Sequence, residues 1–499
     1  MKDLIVQAKK ILQDKTFIVC VIFATLLSFG YGITHVSVGI DDLCFDRYVT
    51  GTWMLSANRW GTWAFYNFFK IYSFSPFWLE LLTVTIYFIT SIILCSAVKN
   101  ISKDKIDKLA YILLACGYIS FPILSFQFVY QSTNITVAFS NLIMSLIAYL
   151  IFANFKNKKN KLWLLMYALI GAFSVACYES CLQTYAVCSI IYALLWVLYS
   201  EEKPKLLKEI LPIGLIYILV FLVSIGLYLG IGKVIKINLE KTGELHKNPA
   251  YNVTVFEDDE SYKTFIQERY KEMYQTNTND KFVFIFTWTS ISFIICIIIE
   301  AIRNKRYNII WLAFIAIGAN FAFALIFVNL LYRIYYSWAI MIGFEYLFIY
   351  QTIYNIAFLR KLKIDRIALI IVTLIILFQT KETNRYIYDD WRANEEAKNR
   401  FIFIGNTIKS YCEIPGKKVV YKYEGLTMTS TFDWSVNVFD DMGAVITQYI
   451  NYNGFYLQNS GLRWEETLWM APGDYENRKV INSYVSEGEF FIYVEINQE

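Results

Sequence analysis

Two adjacent carboxylates, Asp41 and Asp42, follow the charge-free run Phe17–Val36 and precede Asp46, Arg47 and an Asn58-Arg59-Trp60-Gly61 element. A carboxylate held beside a substrate hydroxyl can take its proton, a role worth ~10²–10⁴ in rate when the geometry is right. The same residues could instead cap a helix lying at the lipid surface, where acids satisfy orphan N–H groups and suit the helix dipole. Spacing alone leaves both roles open. A helix starting near Asp41 would set Asp42 and Asp46 on one face, a repulsive pair that asks for a cation, and Arg47 and Arg59 both qualify.

Other ionisable residues interrupt apolar runs. Glu179, in Ala176-Cys-Tyr-Glu-Ser-Cys181, breaks an otherwise uncharged stretch. A carboxylate at membrane depth costs ~2.5 kcal/mol or more unless it meets water or a partner, so Glu179 faces a cavity or sits in an exposed turn. Arg333, in Leu331-Tyr-Arg-Ile-Tyr-Tyr336, either snorkels to headgroups or clamps a phosphate with its fork of donors. Glu345 is the most deeply placed acid; structural pairing explains it more readily than a proton relay. Asn134, after Tyr130-Gln131-Ser132, falls at the tip between two runs, where it either binds a sugar or makes a polar turn. The sequence has no P-loop, GxGxxG, HExxH or nucleophile-elbow pattern.

The elements that must hold these residues belong in a bilayer. Of 499 residues, 57% are apolar and 18% aromatic against 18% charged, which rules out soluble, disordered and fibrous classes. A net charge of +4 gives no case for nucleic acid. Nine Cys lie mostly in apolar runs without metal-ligand spacing, and only His35 and His246 accompany them, which argues against a disulfide framework or a His/Cys metal site.

A membrane helix needs ~20 apolar residues. Phe17–Val36 is long enough and lacks a cleavage site, so it is expected to stay as an anchor. Leu109–Phe155 holds two crossings; Leu162–Ser200 must turn back near Glu179 and Tyr307–Leu359 near Arg333, and single spans are expected at Leu81–Val98, Ile210–Gly232, Phe282–Ile299 and Ile367–Thr380, eleven in all. Alternate connections carry 22 of the 46 Lys and Arg, which predicts a cytoplasmic N-terminus and an outer C-terminus. The outer face then collects the Gly39–Pro76 loop, the Glu179 turn, the Lys233–Lys281 loop and the Arg333 turn. Aromatic residues from Trp63 to Tyr72 suit the headgroup region, so part of the first loop is expected to lie flat on the membrane. The tail from Lys381 carries 12 Lys/Arg and 18 Asp/Glu and is expected to form a small α/β domain, with a helix over Asp389–Tyr411, strands at Lys418–Tyr423 and Phe490–Ile496, and a helix over Tyr475–Val485. The fold class is thus a polytopic all-α membrane region, 1–380, followed by an extracytoplasmic α/β domain, 381–499.

Adjacent acids after the first span, an Arg shortly beyond, the Arg59-Trp60-Gly61 element and an aromatic return to the second span together resemble the bacterial GT-C membrane glycosyltransferases. Within these the chain is most similar to the serotype-converting glucosyltransferases that modify O-antigen and related surface glycans. The tail segments Lys418–Gly425 and Phe490–Ile496 are similar in placement to that family's tail strands. The resemblance implies an inverting transferase in the bacterial cell membrane that takes a sugar, glucose or a related hexose or N-acetylhexosamine, from polyprenyl phosphate. It implies that Asp41, with Asp42 beside it, is the base, and that an outer-face Arg holds the donor phosphate. Arg333 is the candidate by location, and the Leu43–Phe45 insert leaves open whether Arg47 or Arg59 matches the family's positive residue.

Physical reasoning agrees, since nucleotide sugars do not cross membranes and an outward-facing enzyme needs a lipid-delivered donor. Glu179 would position sugar hydroxyls or act as a second acid. The partners expected are the donor, a surface-glycan acceptor and the bilayer. No cofactor is demanded, although a divalent cation could sit between acids and phosphate. A transporter or flippase of lipid-linked glycan is the alternative, but paired repeats and matching broken helices are absent from the sequence. A third is a non-catalytic protein whose tail aromatics, such as Trp434 and Trp464, stack on glycan.

Overall fold

The computed structural model describes residues 2–35, 37, 51–71, 75–128, 131–157, 162–245, 263–264, 267, 281–322, 336–412, 418–424, 467–469, 479–485 and 489–495. Asp41, Asp42, Arg47 and Arg333 lie outside them.

Helices dominate from the first residues. Between α1 (Lys2–Leu12) and α2 (Lys15–Thr34), the Asp14 carboxylate accepts from the N–H groups of Thr16 at 3.0 Å and Phe17 at 3.3 Å. These are donors that any helix start leaves without an internal partner. Two short helices, α3 (Trp53–Ser56) and α4 (Trp60–Phe69), precede α5 (Pro76–Ile101), which opens on a proline fitted to a first helical turn. α6 (Lys108–Ser120) is followed by a 3-10 segment, Pro122–Phe128, bent 42° away from it. Pro122, lacking an N–H, cannot continue the ladder.

The chain continues through α7 (Gln131–Lys156), α8 (Leu162–Cys177), α9 (Cys181–Tyr199), α10 (Leu211–Thr242), α11 (Lys281–Asn304) and α12 (Asn308–Ala322). It then forms α13 (Tyr336–Asn355), α14 (Ala357–Lys361) and α15 (Ile364–Cys412). As the length of the apolar stretch Leu162–Ser200 requires, α8 and α9 are separated by a turn at Tyr178–Ser180. Asn134 departs from expectation: it is fully buried within α7 rather than at a tip, because that helix already begins at Gln131.

Among the described residues, α2, α5, α7, α9, α10 and α11 are each long and apolar enough to cross a bilayer, and α6 with its bent extension would make a seventh. The protein is a helical membrane protein. α8 and α12, at 16 and 15 residues, are shorter than the ~20 a crossing needs. α13 is enclosed by its neighbours along nearly its whole length, which is where its polar residues find shelter. Glu345 accepts from the Ser290 hydroxyl of α11 at 2.6 Å, so it is paired across two helices. Backbone closeness supports this interior. A Cβ on Gly343 of α13 would lie 2.6 Å from the Leu114 carbonyl oxygen of α6, and such contacts hold helices together where lipid offers no hydrophobic drive.

The end of the bundle nearest the N-terminus is tied by polar bonds. Arg306 donates to the Val197 carbonyl and to the carbonyl (2.6 Å) and hydroxyl (3.0 Å) of Ser200. Glu300, buried, accepts from Arg303, Asn304 and Asn355. Every group in this set has a partner, which suits a structural clamp.

The tail supplies four strands, β1 (Lys418–Glu424), β2 (Thr467–Trp469), β3 (Lys479–Val485) and β4 (Glu489–Glu495), ordered β2-β1-β4-β3. β1 runs parallel to β2 and antiparallel to β4, and β3 is antiparallel to β4 with an irregularity between Val480 and Asn482. The helix expected over Tyr475–Val485 is therefore corrected to strand β3 across 479–485. Val480, Ile481, Tyr484 and Val485 favour a pleated surface, and pairing with β4 overrides any local helical tendency. α15 passes unbroken through Thr380, so the composition shift there falls inside a helix.

Candidate active site

The site is built by the way α4 seats against the turn between α8 and α9. A Cβ on Gly61 would lie 2.5 Å from the Phe173 carbonyl oxygen and 2.6 Å from the Cys177 nitrogen, so only glycine lets α4 approach that backbone. Thr62 then donates to the Cys177 carbonyl at 2.8 Å, satisfying an acceptor left over at the end of α8. Trp60 meets Phe173 edge to face at 6.1 Å and points its indole N–H at the Tyr228 carbonyl, 3.5 Å away. The aromatic character of this stretch thus serves docking.

Seating α4 carries Arg59 inward. It is 4% exposed, with its guanidinium 5.1 Å from the centre of the Tyr178 ring, an arrangement in which the ring face stabilises the charge. Asn58, just before it, takes a left-handed backbone (φ 64°) that asparagine tolerates better than most residues. Its side chain occupies the space a Cβ on Gly232 of α10 would need. Glu179, the residue after Tyr178, accepts from the Tyr228 hydroxyl at 3.1 Å through Oε1, while Oε2 is buried without a hydrogen-bond partner among the described residues. One oxygen is fixed and the other is available.

The opposite wall comes from α13 and the 3-10 segment. Tyr336, the first residue of α13, packs edge to face on Tyr178 at 6.4 Å, and its hydroxyl is bonded to the Gln127 amide. Gln127 Oε1, Asn134 Nδ2 and both side-chain polar atoms of Gln183 are buried without partners among the described residues. On α15, Glu382 and Asp389 are buried, and Arg385 pairs with Glu382 at 3.0 Å. Burial pushes the Asp389 carboxyl up to about 6, with Arg385 opposing the shift and Glu382 adding to it.

Of the six residues singled out in the sequence, Arg59 and Glu179 come together around Tyr178 and Tyr228. Asp41, Asp42, Arg47 and Arg333 fall outside the described residues, although the ends of the first loop are placed. Ser37 is buried and donates to the Phe128 carbonyl at 3.3 Å, and Thr52 donates to the Glu244 carbonyl at 3.1 Å. Tyr178, Tyr228, Gln127 and Tyr336 were not foreseen. A tyrosine or glutamine in an apolar run reads as ordinary span composition, and only tertiary packing reveals its partner.

A family model, Glucosyl transferase GtrII, matches residues 30–356. The chain belongs to the GtrII glucosyl transferase family. No curated protein and no solved structure matches the chain. A GtrII glucosyltransferase set in membrane helices has a sugar donor and the bilayer as its partners, and the matched region contains all six expected site residues as well as Tyr178, Tyr228 and Tyr336. α15 and the tail strands lie beyond the match.

Proposed function

We propose that this GtrII transferase moves glucose or a related hexose, with inversion, from a polyprenyl-phosphate donor to a cell-surface glycan on the outer face of the bacterial cell membrane. The observation that carries the reading is the Gly61-dependent seating of α4, which sets Arg59 against Tyr178, the residue before Glu179, at the end of the bundle remote from the N-terminus. A buried cation next to a carboxylate with a spare oxygen suits a substrate that joins a phosphate to a polyhydroxylated ring. The unpartnered atoms of Gln127, Asn134 and Gln183 add donors and acceptors of the kind sugar hydroxyls satisfy.

In this mechanism Asp41 takes the proton of an acceptor hydroxyl as its oxygen bonds to the anomeric carbon. The bond from that carbon to the phosphate oxygen breaks, and its electron pair leaves with the phosphate. Arg333, helped by Arg59, stabilises the charge that develops there. Asp42 and Arg47 flank the base, and Glu179 orients sugar hydroxyls. Asp41 comes four positions after Ser37 in the sequence, so the chain allows at most ~14 Å between their Cα atoms. Eleven crossings with the N-terminus inside, and residues 381–499 as an outer α/β domain, complete the proposal; alternation of basic connections supports that orientation.

The test uses the protein in vesicles with polyprenyl-phosphate glucose and a surface-glycan acceptor. Wild type should transfer glucose, and Asp41→Asn should lower the rate by ~10²–10⁴. Wild-type turnover in the variant would remove Asp41 as base. Turnover with a nucleotide sugar in place of the lipid donor would contradict the donor class, and movement of lipid-linked sugar without transfer would favour a transporter.

A further inference from the structure

α1 lies at the end of the bundle where α5 and α6 meet. Its last turn brings Lys10 to 3.9 Å from Asp104, between α5 and α6, and Asp14 just beyond pairs with Lys108 at the start of α6 at 2.7 Å. The last turn of α1 thus lies where α5 gives way to α6.

One face of α1 is committed to the protein. Leu4 and Ile11 are buried, and Ala8 packs against the core. At about 100° per residue, Ile5 and Leu12 fall together on the adjoining side, about 100° from that face, and each is 49% exposed. Continuing round the helix, Lys9, Val6 and Lys10 follow in that order, about 50°, 110° and 150° past the Ile5–Leu12 side, and all three are exposed. Asp104 is shared between Lys10 and Lys99, the latter at 3.6 Å, and Asp14 is engaged by Lys108, so lysines here outnumber the acids that face them. α1 also sits just before Phe17, where the apolar length of α2 begins, which is the depth of a headgroup layer.

We infer that α1 is a membrane-surface helix whose Ile5–Leu12 edge enters the acyl boundary while Lys9 and Lys10 contact the headgroups of an anionic phospholipid leaflet. Two apolar sides at right angles, one for protein and one for lipid, with lysines on the remaining arc, are what such a position selects. The transferase reading plays no part in this argument.

The experiment places a benzophenone photocrosslinker at position 5 or 12 of the full chain in bilayers containing phosphatidylglycerol and identifies adducts by mass spectrometry. Phospholipid adducts are expected at both positions. Adducts to this chain or to a second copy, without lipid, would overturn the placement. Adduct yield should be several-fold higher with phosphatidylglycerol than with phosphatidylcholine, and Lys9→Gln with Lys10→Gln should abolish that preference. Equal wild-type yields in the two lipids, or a preference unchanged in the double variant, would overturn the anionic partner.

Discussion

Glu179 and Tyr228 meet through a single 3.1 Å hydrogen bond that joins the α8–α9 turn to α10. A bond to a carboxylate contributes ~1.5–3 kcal/mol, so removing either partner should be felt in catalysis if Glu179 orients the sugar. Glu179→Gln and Tyr228→Phe should each lower kcat/KM for the donor about tenfold, equivalent to ~1.4 kcal/mol. The double variant should fall little further, because the two residues act as one unit. A double-mutant cycle measures this; fully additive losses would show that the pair does not work together. The sequence identified Glu179 because a carboxylate in an apolar stretch is conspicuous on energetic grounds. Tyr228 carries no such mark, since a phenol in an apolar helix is unremarkable until its hydroxyl has a named acceptor.

α4 shows how much a short element can decide. Its aromatic spacing suggested a segment at the lipid surface, and Phe68 and Phe69 are exposed. The contact that positions Arg59 depends instead on Gly61, where backbone meets backbone. Gly61→Ala should push α4 off α8, lower the melting temperature and cost activity, with overpacking strain of ~1–3 kcal/mol. Retention of both wild-type activity and melting temperature would show that the seating is not needed. Elsewhere, local pattern and structure part company where pairing is long-range. β3 was read as helix because its partner β4 lies further along the chain and leaves no trace in its own periodicity. α15, by contrast, was expected only beyond residue 389 and near 367–380. Its continuity from Ile364 to Cys412 could not be read from composition, which changes midway although the backbone does not.

Across the molecule, the membrane character and the family were legible because apolar length and the first-loop motif are strong signals. The number of crossings was less so: six helices meet the length and composition needed, while short α8 and α12 and the enclosed α13 rely on their neighbours. Arrangement of these helices places Arg59, Glu179 and Tyr336 at one end and the Arg306 and Glu300 clamp at the other. The proposed chemistry requires the first of these ends to face outward, where a lipid-linked sugar waits. Cys44 stands between the acid pair and Arg47 and reports on that loop directly. Labelling intact cells with a membrane-impermeant maleimide, with Cys44→Ala as the blank, should modify Cys44 without permeabilisation. Modification only after the membrane is opened would put the acids on the cytosolic side and contradict transfer from a polyprenyl-phosphate donor at the outer face.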